Sequence, residues 1–220
     1  MISVRNVHKR YPTRKGWHTV LRGIDLEIPR DCNVGLIGVN GAGKSTLLRL
    51  IGGIDQPDRG DITRDCRVSW PLALSGGFQR LLTGRQNAKF VCRVQGEEAN
   101  IREHLEFVEE FAELGDYFDE PVNTYSNGMR ARLAFALSLA FEFDVYLVDE
   151  ITAVGDAIFR KKAKQSFREL ADRAGLIMAA HNAAVLKEFC NAGIWLNNGR
   201  AFWFDSIDDA INAYSDSIEK

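Results

Sequence analysis

The chain has 220 residues, 45% apolar and 26% charged, enough to bury one full hydrophobic core in an ordinary globular domain. Its formal net charge of −2 supplies no basic field and argues against nucleic acid as the main partner. Four scattered cysteines (Cys32, Cys66, Cys92 and Cys190) form no C-x-x-C pair and no metal-ligand spacing, and read as reduced thiols of a cytosolic protein.

The start, Met1-Ile2-Ser3-Val4-Arg5, turns polar at once, unlike a secretory signal. Residues 2–7 and 20–28 show the alternation and β-branching of strands, joined by a polar, turn-rich segment. Val34-Gly35-Leu36-Ile37 is a short buried-strand run, followed by a glycine-rich turn and a helix over 45–51. Pro57-Asp58-Arg59-Gly60-Asp61 marks a reversal, with a strand after it near Val68. The middle third reads as helical. From Ile101 the apolar positions Leu105, Val108, Phe111, Ala112 and Leu114 repeat at helical spacing until Gly115 stops them. Glu103, Glu106, Glu109, Glu110 and Glu113 read as the solvated opposite face. A second helix over 129–141 leads into an apolar strand over 145–148. Its most apolar part, 133–141, is far too short to cross a bilayer, so any work at a membrane requires docking through a partner. A strand over 176–180 follows a further helix, and 194–196, Asn197-Asn198-Gly199 and 201–203 read as a β-hairpin. Strands alternating with helices imply a mainly parallel sheet covered on both faces.

Two motifs carry chemistry. Gly38-Val39-Asn40-Gly41-Ala42-Gly43-Lys44-Ser45 satisfies G-x-x-x-x-G-K-[ST], in which glycines let successive N–H groups point inward around phosphate oxygens. Lys44 then reaches the β- and γ-phosphates, the Ser45 hydroxyl ligates Mg2+, and the following helix adds its positive end. Val145-Tyr146-Leu147-Val148-Asp149-Glu150 is an apolar strand ending in two carboxylates. Running parallel to the phosphate-loop strand, it delivers Asp149 to hold Mg2+ or its water shell and Glu150 to polarise the attacking water as general base.

Between those motifs, Tyr125-Ser126-Asn127-Gly128-Met129 resembles the L-S-G-G-Q signature of ATP-binding-cassette ATPases. Ser126 and Gly128 are kept; Tyr125, Asn127 and Met129 depart from it. The string Leu74-Ser75-Gly76-Gly77-Phe78-Gln79 is closer to the consensus, yet no buried acidic strand follows it. It sits where this family has its Q-loop, which makes Gln79 the candidate Q-loop glutamine. Ile151-Thr152-Ala153-Val154-Gly155-Asp156 occupies the D-loop slot, with Asp156 as its acid and Ile151 replacing the usual proline. His181 falls where the family's switch histidine touches the γ-phosphate. Tyr11 lies where the family stacks an aromatic on adenine, with Trp17 as the competing candidate.

The resemblance implies an α/β P-loop nucleotide-binding domain over 1–220, with a mainly parallel sheet, an N-terminal antiparallel β subdomain and a helical subdomain inserted at about 82–141. The implied ATP contacts are Tyr11, Gly38, Asn40, Gly41, Ala42, Gly43, Lys44, Ser45, Thr46, Ser126, Gly128 and Asp156. The implied Mg2+ ligands are Ser45, Asp149 and Gln79, and the catalytic groups are Glu150, His181 and Lys44. On Ile51-Gly52-Gly53-Ile54-Asp55, Ser75-Gly76-Gly77-Phe78-Gln79, Phe107-Val108-Glu109-Glu110-Phe111, Tyr125-Ser126-Asn127-Gly128-Met129-Arg130 and the run from Asp149 to Asp156, it narrows to the ATP-binding subunits of bacterial capsular polysaccharide exporters.

That group implies a homodimer sandwiching two ATP molecules, integral membrane permease subunits, and no nucleic acid. The dimer is expected at the cytoplasmic face of the inner membrane, held there by the permease, powering export of a lipid-linked polysaccharide. The chain stops about where the ATPase domain should end, which favours the capsule type over O-antigen exporters with an extra carbohydrate-binding domain. Export of another surface glycan, O-antigen or teichoic acid, is the alternative. Chromosome-type cassettes need a long coiled coil that does not fit here, and translation-type members carry two cassettes. A purely regulatory ATPase is opposed by the intact Lys44, Asp149, Glu150 and His181.

Overall fold

The computed structural model of the chain describes residues 1–72, 77–149, 156–180 and 182–218. Glu150, His181, and the stretches 73–76 and 151–155 of the motifs above lie outside the described residues. Two compact units are formed, one from 1–71, 143–150 and 168–220, the other from 72–142 and 151–167.

In the first unit, β1 (Ile2–Thr13) pairs antiparallel with β2 (Gly16–Ile28) on one side and β4 (Arg59–Arg64) on the other. Ile2 and Val4, and Ile24, Leu26 and Ile28, are buried at alternate positions, so one face of this sheet is apolar. The polar segment expected between the two strands is itself paired: Tyr11 lies opposite His18 and Pro12 opposite Trp17. Exposure of both faces there removes the apolar alternation that would have marked it. β4 likewise replaces part of the expected reversal at 57–61. Only Ile62 among its residues escapes full exposure, so no hydrophobic period announces it.

The second sheet runs in the order β5 (Val68–Leu72), β6 (Val145–Asp149), β7 (Gly175–Ala179), β3 (Asn33–Ile37), β8 (Ala192–Asn197), β9 (Arg200–Phe204). β6, β7, β3 and β8 are parallel neighbours, and β9 returns antiparallel to β8. The hairpin turn holds Asn198 at φ 49 and Gly199 at φ 79, the left-handed pair that a two-residue hairpin requires. Val145 to Val148 of β6 are all buried, as expected for a strand covered on both faces. Helix α1 (Lys44–Ile51) contributes Leu47, Leu48, Leu50 and Ile51 to a single core shared with both sheets. Helix α6 (Ala183–Phe189) and helix α7 (Ile207–Ile218) complete the unit, α7 lying against β3 and β8.

The second unit is helical. α2 (Gly84–Val94) starts with a capping box: the Thr83 side chain accepts from the Gln86 N–H, and the Gln86 side chain accepts from the Thr83 N–H. α3 (Ile101–Ala112), α4 (Asn127–Leu139) and the start of α5 (Ala157–Arg173) meet at Phe111, Phe135 and Phe159, whose ring centroids lie 5.9–6.3 Å apart. The acidic side of α3 is less idle than a solvated face. Glu109 receives two hydrogen bonds from Arg85, at 2.8 and 2.9 Å, tying α3 to α2. Glu113 pairs with Lys162 at 2.5 Å. Among the described residues, no helix is long and apolar enough to cross a membrane.

Candidate nucleotide site

The loop between β3 and α1 turns inside a confined space. Gly43 holds φ +105, and a Cβ there would lie 2.9 Å from side-chain carbons of Val20 and Leu21, so only glycine satisfies both backbone and packing. Gly43 is also the N-cap of α1, with no side-chain cap and no acid in the first turn. The first N–H groups of that helix therefore stay available to an anion, with the helix dipole behind them.

Lys44 is buried at 8% exposure, and its ammonium folds back over the loop, donating to the carbonyls of Gly38 at 2.6 Å and Val39 at 3.1 Å. A lysine this enclosed is costly unless its donors find acceptors, and phosphate oxygens are the strongest acceptors it could exchange them for. Lys44 lines a cavity of about 370 Å³ together with Tyr11, Asn40, Gly41, Gly43, Ser45, Thr46 and Asp149. The rest of the wall is His18, Val20, Ala179 and Ala180. Asp149 arrives there because β6, β7 and β3 are parallel: its register partner is Ala179, which also pairs with Leu36 beside the loop. The cavity thus opens at the carboxyl ends of parallel strands, where α/β sheets place their ligands. Ser45 and Asp149 bring one hydroxyl and one carboxylate to the same space, an all-oxygen donor set that fits Mg2+.

Gly38 enters this site through its carbonyl on Lys44. Ala42 faces a neighbouring cavity of about 430 Å³, which shares Asn40 and Gly41 with the first. Of the two aromatic candidates, Tyr11 lines the phosphate-loop cavity. Trp17 is 62% exposed, with the Arg10 guanidinium 4.4 Å from its ring centre.

The second unit gathers a different group. Ser126 is the N-cap of α4, its hydroxyl accepting from the Met129 N–H at 3.2 Å. Tyr125, in place of leucine, is buried and donates its hydroxyl to the Tyr117 carbonyl at 2.5 Å; burial pushes that phenol up to about 12. Asp156 accepts from the N–H groups of Ile158 at 3.1 Å and Phe159 at 2.9 Å, opening α5, and pairs with Arg132. Those backbone donors, the Phe159 N–H first, and the Arg132 charge hold its carboxyl below the ordinary value. Ser126, Gly128, Arg132 and Asp156 line one cavity of about 430 Å³. Arg132 is a lining residue that the motif does not name, though its place in the second turn of the signature helix is a usable signal. Gln79 is exposed, and its backbone N–H and carbonyl are both bound to the Asn87 side chain, at 2.9 and 3.1 Å.

A glycine-rich loop, a buried lysine and a strand-end carboxylate around one cavity define a nucleoside-triphosphate-binding P-loop domain. Residues 21–153 match the family described as ABC transporter, and the chain belongs to that family. It is 50% identical over 219 residues to the polysialic acid transport ATP-binding protein KpsT of Escherichia coli, covering 99% of this chain and 100% of that one. The capsule polysaccharide export ATP-binding protein CtrD of Neisseria meningitidis serogroup B is 47% identical over 215 residues, 98% of this chain and 99% of its own. Among solved structures, a dimeric ATP-binding cassette in a post-hydrolysis state bound to ADP and Pi superposes with a TM-score of 0.74 at 23% identity. It covers 91% of this chain and 96% of that one.

Proposed function

We propose that this chain is the ATP-hydrolysing subunit of an ABC exporter that powers transport of a lipid-linked capsular polysaccharide across the bacterial inner membrane. The observation that carries the proposal is the near-complete, near-half identity to ATP-binding proteins of capsule export, joined to a formed phosphate-loop cavity.

In this reading the loop N–H groups and the α1 N-terminus take the phosphates, and Lys44 exchanges the Gly38 and Val39 carbonyls for β- and γ-phosphate oxygens. Ser45 and Asp149 would hold Mg2+, which would supply positive charge to those phosphates, and the family resemblance adds Gln79 as an expected ligand. Glu150 takes a proton from the attacking water as its oxygen bonds to the γ-phosphorus; the bond to the bridging oxygen breaks and ADP leaves with that electron pair. His181 contacts the γ-phosphate. Tyr11 stacks on the adenine.

Two copies are required, because Ser126, Gly128 and Asp156 of one chain serve the nucleotide held by the other. Closure of that homodimer drives integral membrane permease subunits, through which the ATPase sits on the cytoplasmic face of the membrane. The single cassette is taken to span 1–220.

The test is a host lacking the gene, complemented with wild type or Glu150→Gln, with surface and intracellular polysaccharide measured together. Surface loss with internal accumulation, rescued by wild type alone, is the expected result. Unchanged surface polysaccharide in the deletion strain would refute the cargo and leave the ATPase.

A further inference from the structure

The strand that carries Tyr11 is clamped by the loop that follows α1. Lys9 and Tyr11 are two residues apart on β1, so their side chains leave the same face, and both reach Asp55. The Lys9 ammonium donates to one Asp55 oxygen at 2.6 Å and to the Gln56 carbonyl at 2.7 Å; the Tyr11 hydroxyl donates to the other Asp55 oxygen at 2.7 Å. The Gln56 N–H donates to the same carboxylate at 2.8 Å. Backbone bonds reinforce the clamp: the Arg10 N–H donates to Asp58 at 2.7 Å, and the Asp58 N–H to the His8 carbonyl at 2.9 Å.

Lys9 is 8% exposed. An enclosed ion pair is a poor source of stability, because desolvation offsets its attraction and apolar side chains of similar volume do as well. What the pair does supply is a fixed oxygen for the phenol. Burial first, and then the Asp55 hydrogen bond, push Tyr11 up against the opposing pull of Thr46 and Lys9, which keeps the phenol a donor. Tyr11 is thus held through its backbone in a paired strand and through its oxygen at Asp55, beside the cavity that holds Lys44. A ring fixed in advance binds a flat partner without first giving up rotational freedom.

We propose that Asp55, held by Lys9, is a positioning residue that pre-sets the Tyr11 ring for the nucleotide base, so that this cluster governs base affinity and leaves the phosphate contacts alone. The inference rests on Tyr11 being the adenine platform, as proposed above.

The test titrates the purified full chain with Mg-ATP and, in parallel, with inorganic tripolyphosphate, which carries phosphates and no base. Tyr11→Phe removes only the hydroxyl; Asp55→Asn removes the charge; Tyr11→Ala removes the ring. Both Tyr11→Phe and Asp55→Asn are expected to weaken ATP binding about three- to tenfold, the worth of one hydrogen bond. Tripolyphosphate binding stays at the wild-type value, and the double variant is no weaker than the weaker single, since both substitutions act on one shared contact, one by removing its donor and the other by removing the charge of its acceptor. Tyr11→Ala is expected to lose at least about fivefold for ATP. If Tyr11→Ala loses affinity while Tyr11→Phe and Asp55→Asn bind ATP as wild type does, the platform stands and the positioning role is wrong. If Tyr11→Ala itself binds normally, the platform reading falls and takes the inference with it. Parallel weakening of tripolyphosphate would reduce Asp55 to a structural residue. Should Asp55→Asn fail to fold, Tyr11→Phe carries the test, because it leaves the Lys9–Asp55 pair intact.

Discussion

Two glycines of the phosphate loop separate the backbone requirement from the packing requirement. Gly41 and Gly43 both hold left-handed φ, +81 and +105, but a Cβ at Gly41 meets open space while one at Gly43 lies 2.9 Å from Val20 and Leu21 carbons. Gly41→Ala therefore carries the backbone strain alone, about 1–2 kcal/mol. Gly43→Ala adds overlap with Leu21, which is fully buried and has nowhere to move, for about 1–3 kcal/mol more. The expected losses are about 1–2 kcal/mol for the first and about 2–5 kcal/mol for the second. In a chain of this length each kcal/mol lowers Tm by about 2–4 °C. Thermal and urea unfolding of the ligand-free variants, side by side, measures the difference. Equal losses, or a milder Gly43→Ala, would refute the claim that packing beneath the loop, and not φ alone, fixes glycine there.

Three further outcomes follow from the same physics. Phe135→Ala removes a buried ring from the Phe111–Phe135–Phe159 cluster and should cost about 3–5 kcal/mol in denaturant unfolding. Thr83→Ala breaks the capping box of α2 and should cost about 0.5–2 kcal/mol, with Thr83→Ser restoring most of it; equal melting of the two variants would sink the capping argument. Burial pushes the Cys190 thiol up to about 12 from an ordinary 9.0. Between those values an unfolded chain ionises while the folded one stays protonated, so stability falls as pH rises through that window. At pH 8 Cys190 should react with maleimide only after denaturant is added, as read by mass spectrometry.

The catalytic strings were legible because each is contiguous and framed by a strong local pattern. Glycines spaced ahead of Lys44 and the apolar run ahead of Asp149 announce a strand and a turn without knowledge of the rest. Ser126 needed position as well, since S-N-G alone is an ordinary turn. What escaped is what depends on distant partners. β4 carries only Ile62 as an inward residue, so its existence rests on the free edge of β1. α7 buries only Ile207 and Ala210, too few for a helical stripe. Asp55 stands out only within the run Ile51-Gly52-Gly53-Ile54-Asp55, and its link to Tyr11, 44 positions away, has no sequence signature. α2 does carry one: Thr83 followed by Gln86, the mark of a capping box.

The central place of β3 has a consequence for how the protein is made. Both of its hydrogen-bonding neighbours, β7 and β8, are late in the chain, at residues 175–179 and 192–197. Through most of synthesis the segment bearing the phosphate loop has left the ribosome with two bare strand edges, the feature that recruits stray chains into aggregates. The nucleotide pocket is therefore a late product of translation. A message cut short before β7 yields no phosphate-loop pocket, only a fragment with unpaired strand edges for the proteases.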